Sequence, residues 1–283
     1  MRADLHVHTT ASDGRLTPKE IVHLAVKSGL NVIAITDHDS VDGITPALDS
    51  AKALGSLIVI PGVEINTDVP RGEVHILGYF IDYTDSRLRS VLQRLRASRE
   101  NRAVLMIRKL QSLGMKIEWE QVRKLAGSGS VGRPHVAQAL LERGYVVSLK
   151  EAFDKYIGRN GPAYIEREKI TPAEAVKLVA QAQGLPVLAH PANVDGLNQF
   201  LHELINVGLV GIEVWYNNYT PEIIGRIKAI ASKYKLVATG GSDYHGFADS
   251  TETVLGGVTV PVRAIEQLFD LAGINLESSK SST

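Results

Sequence analysis

Nine histidines and a matching set of carboxylates recur along this 283-residue chain in a pattern that could hold metal ions. His6 and His8 stand two apart in the apolar run at residues 3–8. In an extended strand, residues i and i+2 project to one side, so both imidazoles can reach one ion. Asp13 follows in the next loop. Thr36-Asp37-His38-Asp39 closes a second apolar run, Gly62-Val63-Glu64 follows a third, and His75 sits in a fourth. Ala189-His190-Pro191 and Ser242-Asp243-Tyr244-His245 come later. One such element would mean little, because a lone histidine is usually a partly buried ring with its hydrogen bonds satisfied. Recurrence at nearly every strand end reads instead as a multinuclear metal site. Imidazoles mixed with carboxylates suit Mn²⁺, Zn²⁺ or Fe²⁺, whereas an all-oxygen set would favour Mg²⁺ or Ca²⁺. Nine donors exceed the needs of one tetrahedral ion and would serve two or three. Such ions lower the pKa of a bridging water and hold both attacking and leaving oxygens, so hydrolysis by a metal-bridging hydroxide is the expected chemistry.

These residues need a scaffold that brings strand ends together. Short apolar runs rich in Val and Ile alternate with segments of helical period, as in a parallel α/β sheet or barrel. The predicted strands are 3–8, 32–36, 57–60, 74–79, 186–189, 210–214 and 236–239. Thr17-Pro18-Lys19-Glu20 reads as an N-cap, a proline at the first helical position and an acidic first turn, with a stop at Gly29. Thr171-Pro172-Ala173-Glu174 repeats the signal before a helix ending near Gly184. No dinucleotide-type glycine fingerprint follows the first strand, so a closed or nearly closed barrel is expected, with its site at the C-terminal strand ends.

Composition narrows the classes further. Cysteine is absent, which excludes disulfides, thiolate metal sites and a cysteine nucleophile. With 31 basic and 31 acidic residues the formal net charge is zero, so an anionic partner must be met by a local patch. No apolar stretch approaches the roughly 20 residues of a membrane span, and Met1 leads straight into strand-like sequence without a secretory leader. A cytosolic location and no membrane or obligatory protein partner are expected. Residues 278–283 are polar and predict a disordered tail.

The alternation breaks between about residues 85 and 169, which read as helices only: 86–113, 118–126, 134–143 and 149–156. An all-helical insert would thus divide a barrel made of residues 1–84 and 170–277. Residues 85–170 hold 18 Lys+Arg against 9 Asp+Glu, while the remainder holds 13 against 22, so a basic appendage faces an acidic body. In the first long helix of the insert the stripe Leu88, Leu92, Leu95 resumes at Met106, Leu110 and Leu113, but Arg99 and Arg102 occupy the positions between. An inward charge is costly unless a partner waits, and a substrate phosphate would suit arginine; a solvated or salt-bridged role is the plain alternative. Gly132-Arg133-Pro134-His135 opens another helix, whose N-terminal amides favour an anion. Arg133 and His135 are therefore candidate substrate-binding groups, and His135 is also a candidate general acid because imidazole titrates near neutrality.

DLHVHT (Asp4 to Thr9), TDHD (Thr36 to Asp39), GVE (Gly62 to Glu64), His75, LAHP (Leu188 to Pro191) and GSDYH (Gly241 to His245) together resemble the polymerase-and-histidinol-phosphatase (PHP) family of metal-dependent phosphoesterases, in that family's motif order up to about residue 265. The resemblance implies a distorted seven-stranded βα barrel and a trinuclear site. One metal would take His6, His8, Glu64 and Asp243; a second would share Glu64 and take His75 and His190; the third would take Asp13, His38 and His245. Mn²⁺ leads as the ion, with Zn²⁺ and Fe²⁺ as alternatives. Asp37 and Asp39, flanking His38, read as partners or caps rather than direct ligands. His23 and His202, away from strand ends, read as structural. The insert and its GRxH element further resemble family members acting on nucleotides, namely nucleoside 3′,5′-bisphosphate phosphatases and 5′-to-3′ trimming enzymes of short RNA. That group often carries another arginine soon after the element, where this chain has Gln138.

The expected activity is metal-dependent hydrolysis of phosphate esters of a nucleotide or short oligonucleotide. Competing readings are a histidinol-phosphatase-like enzyme on a small phosphomonoester, an amidohydrolase acting on a C–N bond, and a non-enzymatic metal-holding module that binds nucleic acid.

Overall fold

The computed structural model describes residues 1–67, 69, 74–127, 129, 131–166, 168, 170–247 and 253–276; the tail expected at 278–283 lies outside them. Seven strands, β1 (Ala3–Val7), β2 (Val32–Ile35), β3 (Ile58–Thr67), β4 (Val74–Tyr79), β5 (Leu185–Leu188), β6 (Gly211–Tyr216) and β7 (Val237–Gly241), pair in sequence order. Tyr244, just beyond β7, returns to β1: the His8 amide donates to its carbonyl at 2.9 Å, and Val7 bridges it in parallel. The sheet is thus a nearly closed barrel. Among the described residues ten α-helices accompany it: α1 (Pro18–Lys27), α2 (Ile44–Leu54), α3 (Ser86–Ser112), α4 (Trp119–Ala126), α5 (Arg133–Glu142), α6 (Leu149–Ala152), α7 (Pro172–Gln181), α8 (Leu197–Ile205), α9 (Pro221–Tyr234) and α10 (Val262–Leu271). Among the described residues no helix is long and apolar enough to cross a membrane.

Two features depart from a simple parallel barrel. β4 runs antiparallel to both β3 and β5. Only six residues separate Thr67 from Val74, too few for the crossover a parallel pair requires, so β3 and β4 can only form a hairpin. β3 also continues well past residue 60, carrying Glu64 within the strand. Because β4 is reversed, His75 at its beginning lies level with Asn66 near the end of β3, so the reversal delivers His75 to the same rim as the other strand ends.

The second feature is a bulge in β1. Ala3 and Asp4 pair with Val32 and Ile33, but Val7 pairs with Ile35, so β1 carries one extra residue. Ala3 and Leu5 pack with Val32 and Ala34 in the barrel interior, whereas Val7 packs with Ile33 and Ile35 outside. The bulge therefore turns His6 and His8 inward, onto the face that Leu5 occupies one step earlier. β7 must approach closely for this: a Cβ at Gly241 would collide with the Cβ and N of His6.

Helix starts follow their local signals. Thr17 and Thr171 close capping boxes with Glu20 and Glu174, each followed by proline, an arrangement worth about 1 kcal/mol per cap. α10 plugs the barrel away from the histidines, where Ala264, Ile265, Leu268 and Phe269 meet Leu77, Tyr79 and Val187.

At 27 residues α3 is about 40 Å long. Its first part, through Leu88, Leu92 and Leu95, belongs to the barrel's outer core. Its later part, Ala103, Met106, Ile107 and Leu110, joins a separate core with α4, α5 and the chain as far as Ala163. Arg99 and Arg102, each 5% exposed, fall where the stripe passes from one core to the other. The segment expected to be one helix over 149–156 is instead α6 followed by a π turn at Phe153–Ile157, in which the Gly158 amide reaches back to the Phe153 carbonyl.

Candidate metal centre and its rim

Glu64 sits at the middle of the barrel mouth, 1% exposed, with five imidazoles around it. His6 Nε2 and His8 Nε2 each lie 3.3 Å from its Oε2, and His38 Nδ1 lies 2.8 Å from the same oxygen. His75 Nδ1 and His190 Nε2 face its Oε1 at 2.8 and 3.2 Å. Asp243 Oδ1 approaches His8 Nε2 at 3.0 Å and His6 Nε2 at 3.3 Å. Farther along the rim, Asp13 Oδ1 faces His245 Nε2 at 3.4 Å and His8 Nδ1 at 3.9 Å. Among the described residues, three groups have ligand atoms close enough together to share an ion: His6, His8, Glu64 and Asp243; His38, Glu64 and His75; and His8, Asp13, His38 and His245. His190 Nε2 adjoins the second group, 3.1 Å from His75 Nδ1.

Hydrogen bonding leaves this cluster incomplete. His6 Nε2, both ring nitrogens of His8, Asp13 Oδ1, Glu64 Oε2 and Asp243 Oδ1 are buried without a hydrogen-bond partner. A buried polar atom left unsatisfied costs about 1–3 kcal/mol, and these six belong to two of the ligand groups just named, which meet at His8. Lone-pair donors of imidazole and carboxylate type converging in this way fit divalent cations. Proton affinities carry the same signature. Burial would raise the pKa of Asp13, Glu64 and Asp243, yet the surrounding imidazoles hold all three well below the carboxylate range. Burial would lower His6 and His245, but for His6 the charges of Asp243, Glu64 and Glu213 prevail, and Asp13 with Asp243 pushes His245 up to about 10. His38 goes the other way, to about 4, because its desolvation outweighs Glu64 and Asp13. Cations would take the place of these protons.

The backbone is strained where the ring closes. His190, Asp243 and Asp39 adopt positive φ of 28°, 54° and 49°, uncommon for residues other than glycine, so three of the seven such residues described lie at the site. Asp37 accepts from the Thr9 amide, the Thr9 hydroxyl and the Ser12 hydroxyl, fixing the loop that carries Asp13.

The arginines of α3 enter from the other side. Arg99 Nε donates to Asp39 Oδ2 at 2.7 Å, and its Nη2 donates to Asn66 Oδ1, whose own amide nitrogen lies 3.2 Å from His38 Nδ1. Arg99 is therefore buried in a salt bridge rather than solvated, and is tied through Asn66 to the histidine cluster. Arg102 is equally buried beside it. Arg133 begins α5 half-buried, its guanidinium 5.5 Å above the Phe153 ring. His135 is 4% exposed, and its Nδ1 accepts from the Gly132 amide, which fixes the Nε2–H tautomer. Burial depresses its pKa; Asp13 opposes, and Arg15, Arg99 and Arg123 add to the depression. A ring held neutral in this way suits a hydrogen-bond donor better than a proton donor. Gln138 faces Glu142 along α5.

Two residues of this site carry no motif in the sequence. Glu213 in β6 is fully buried and accepts from His6 Nδ1 at 3.1 Å and from the His190 amide at 2.8 Å, aiming one ring and fixing the backbone of the other. Tyr216 donates to Asp243 Oδ2 at 2.7 Å. Alternation along β6 could have marked Glu213 as an inward carboxylate among Ile212 and Val214. His23 and His202 are exposed on α1 and α8, away from the cluster.

A family profile described as PHP domain matches residues 4–163. The 5′-3′ exoribonuclease Rnm of Escherichia coli is 35% identical over 86% of this chain and 84% of its own length. The 3′,5′-nucleoside bisphosphate phosphatase of Chromobacterium violaceum is 30% identical over 86% of each chain. A crystal structure described as a metal-dependent phosphoesterase from Bifidobacterium adolescentis superposes with a TM-score of 0.87 at 30% identity, covering 98% of both chains.

Proposed function

The chain belongs to the PHP-domain family, and on that premise we propose that it is a metal-dependent phosphohydrolase of nucleotides, acting on a nucleoside 3′,5′-bisphosphate or at the 5′ end of a short oligonucleotide. The observation that carries this reading is the convergence of buried, unpartnered imidazole and carboxylate atoms around Glu64, with buried arginines beside them. His6, His8, Asp13, His38, Glu64, His75, His190, Asp243 and His245 are the proposed ligands of two or three divalent ions, Mn²⁺ first, with Zn²⁺ and Fe²⁺ as alternatives. Once bound, such ions supply Lewis-acid charge and make water nucleophilic at neutral pH.

The chain's own residues do the rest. Glu213 holds the His6 ring so that Nε2 faces the centre, and Tyr216 holds the Asp243 carboxylate. Arg99, aligned by Asp39, and Arg102 supply positive charge at a depth where water competes poorly, as a phosphate requires. Arg133 adds a cationic donor for an anion at the N-terminal end of α5, and His135 offers its Nε2–H as a neutral donor. The leaving alcohol then takes its proton from a group other than His135. Residues 85–169 serve in this reading as a basic cap on a barrel formed by 1–84 and 170–277, orienting substrates by their extra phosphates.

The test is reconstitution with Mn²⁺, Zn²⁺ or Fe²⁺ in turn, followed by assay on a nucleoside 3′,5′-bisphosphate, a mononucleotide, a 5′-phosphorylated trinucleotide, histidinol phosphate, an aryl phosphate and a panel of carboxamides, with RNA binding measured beside turnover. Metal-dependent release from the bisphosphate or trinucleotide, faster than from the mononucleotide, is expected. Activity on histidinol phosphate alone overturns the substrate, amide hydrolysis without phosphate release overturns the reaction class, and RNA binding without turnover by fully loaded protein overturns the enzymatic reading.

A further inference from the structure

Arg15 differs from three arginines of α3. Arg94, Arg96 and Arg99 each face a carboxylate, on Glu168, Asp42 and Asp39. Arg15 is exposed in the loop after β1, and among the described residues its side chain meets no carboxylate and makes no hydrogen bond. It is nevertheless held in place. Its backbone amide donates to the His245 carbonyl at 2.7 Å, and its guanidinium carbon lies 4.9 Å from the centroid of the Phe247 ring. Phe247 in turn stacks on His245, with centroids 5.8 Å apart and planes 22° from parallel. A chain of contacts thus runs outward from His245, whose Nε2 faces Asp13, through the Phe247 ring to an exposed guanidinium.

A guanidinium held over a ring through its carbon makes no hydrogen bond to that ring's edge and keeps N–H donors for another partner. The position is also electrostatically crowded, since Arg15 joins Arg99 and Arg123 among the charges that act on the His135 ring. Of these, Arg99 is already paired with Asp39, whereas the exposed Arg15 keeps its charge for an incoming anion. We propose that Arg15, steered by Phe247, is a binding site for a second, non-reacting phosphate of the substrate, at the barrel mouth beside His245. The proposal rests on the phosphohydrolase reading above. The group recognised is a phosphate oxyanion, which could be the second terminal phosphate of a bisphosphate or the internucleotide phosphate of an oligonucleotide.

The test compares Arg15→Ala, Arg15→Lys and Phe247→Leu with the wild type on adenosine 3′,5′-bisphosphate, a 5′-phosphorylated trinucleotide and an aryl phosphate, together with calorimetric binding of adenosine 3′,5′-bisphosphate. For Arg15→Ala, KM should rise about tenfold, the worth of one charge-assisted contact at an exposed rim, on substrates carrying a second phosphate. Its kcat on those substrates and its kcat/KM on the aryl phosphate should hold. Arg15→Lys should recover part of the loss, and Phe247→Leu should show a smaller loss in the same direction. A loss confined to the bisphosphate or to the trinucleotide identifies which phosphate is held. Equal changes on all three substrates, or none, overturn the proposal. If the loaded wild type hydrolyses no phosphate ester, the phosphohydrolase reading fails, and calorimetry decides this proposal alone: weaker binding by Arg15→Ala upholds it, while unchanged binding, or none by the wild type, overturns it.

Discussion

Replacing Glu213 by glutamine tests whether the barrel holds its ligands by design. Glu213 Oε1 accepts from His6 Nδ1 and Oε2 accepts from the His190 amide, all in a fully buried setting. Glutamine keeps the volume but has one acceptor oxygen. If that oxygen stays with His6, the amide NH₂ meets the His190 N–H donor to donor, and a buried N–H is orphaned at about 1–3 kcal/mol. If it turns to His190, His6 loses the partner that keeps its proton on Nδ1 and its lone pair on Nε2. Either way the metal-holding geometry weakens, and a loss of about 10- to 100-fold in metal affinity is expected, or about 1.4–2.8 kcal/mol. Competition with a calibrated chelator, read beside activity against added metal, measures it. Excess metal should restore much of kcat, because Glu213 would not touch substrate. Unchanged metal affinity with intact folding would refute the reasoning.

Other expectations follow from the same geometry. Arg133→Ala should weaken hydrolysis of phosphate-rich substrates far more than that of an aryl phosphate, and parallel losses in steady-state kinetics would remove its substrate-specific role. Gly241→Ala should destabilise the protein severely, since its Cβ would meet the His6 backbone, and a thermal melt within a degree or two of wild type would contradict the close β1–β7 approach. In metal-free protein the raised pKa values of His6, His8, His190 and His245 stabilise the fold fully below the unfolded value near 6.5. That contribution fades as pH climbs through the folded values, about 10 for His245. Metal displaces those protons, so the rise in Tm on adding Mn²⁺ should be larger at pH 8.5 than at pH 6; a smaller rise would reverse the assignment.

Much of this architecture was legible in the sequence because it rests on local signals. Apolar runs located all seven strands to within a few residues at most ends, and Thr-Pro-x-Glu marked α1 and α7 by a capping box that the fold uses directly. Thr220-Pro221-Glu222 carries a similar mark ahead of α9, with Thr220 accepting from the Ile223 amide, and it passes unused in the sequence reading. α2 starts at Gly43 without a side-chain cap, so nothing local announces it. The reversal of β4 was missed because strand direction depends on the length of the β3–β4 connection, which apolar periodicity does not weigh. The bulge in β1 could not be read at all: pairing register between distant strands decides it, and strict alternation from Leu5 would have pointed His6 outward. Glu213 belongs to no motif, and only its alternation with Ile212 and Val214 along β6 marks it as inward; its partner His6 becomes visible once the strands are paired.

Anomalous diffraction from crystals grown with Mn²⁺, recorded near the manganese edge, tests the central claim most directly. Two or three peaks are expected within coordinating distance of Glu64, His6, His8, Asp243 and their neighbours at the barrel mouth. Active crystals whose maps carry no peak at that mouth would contradict it.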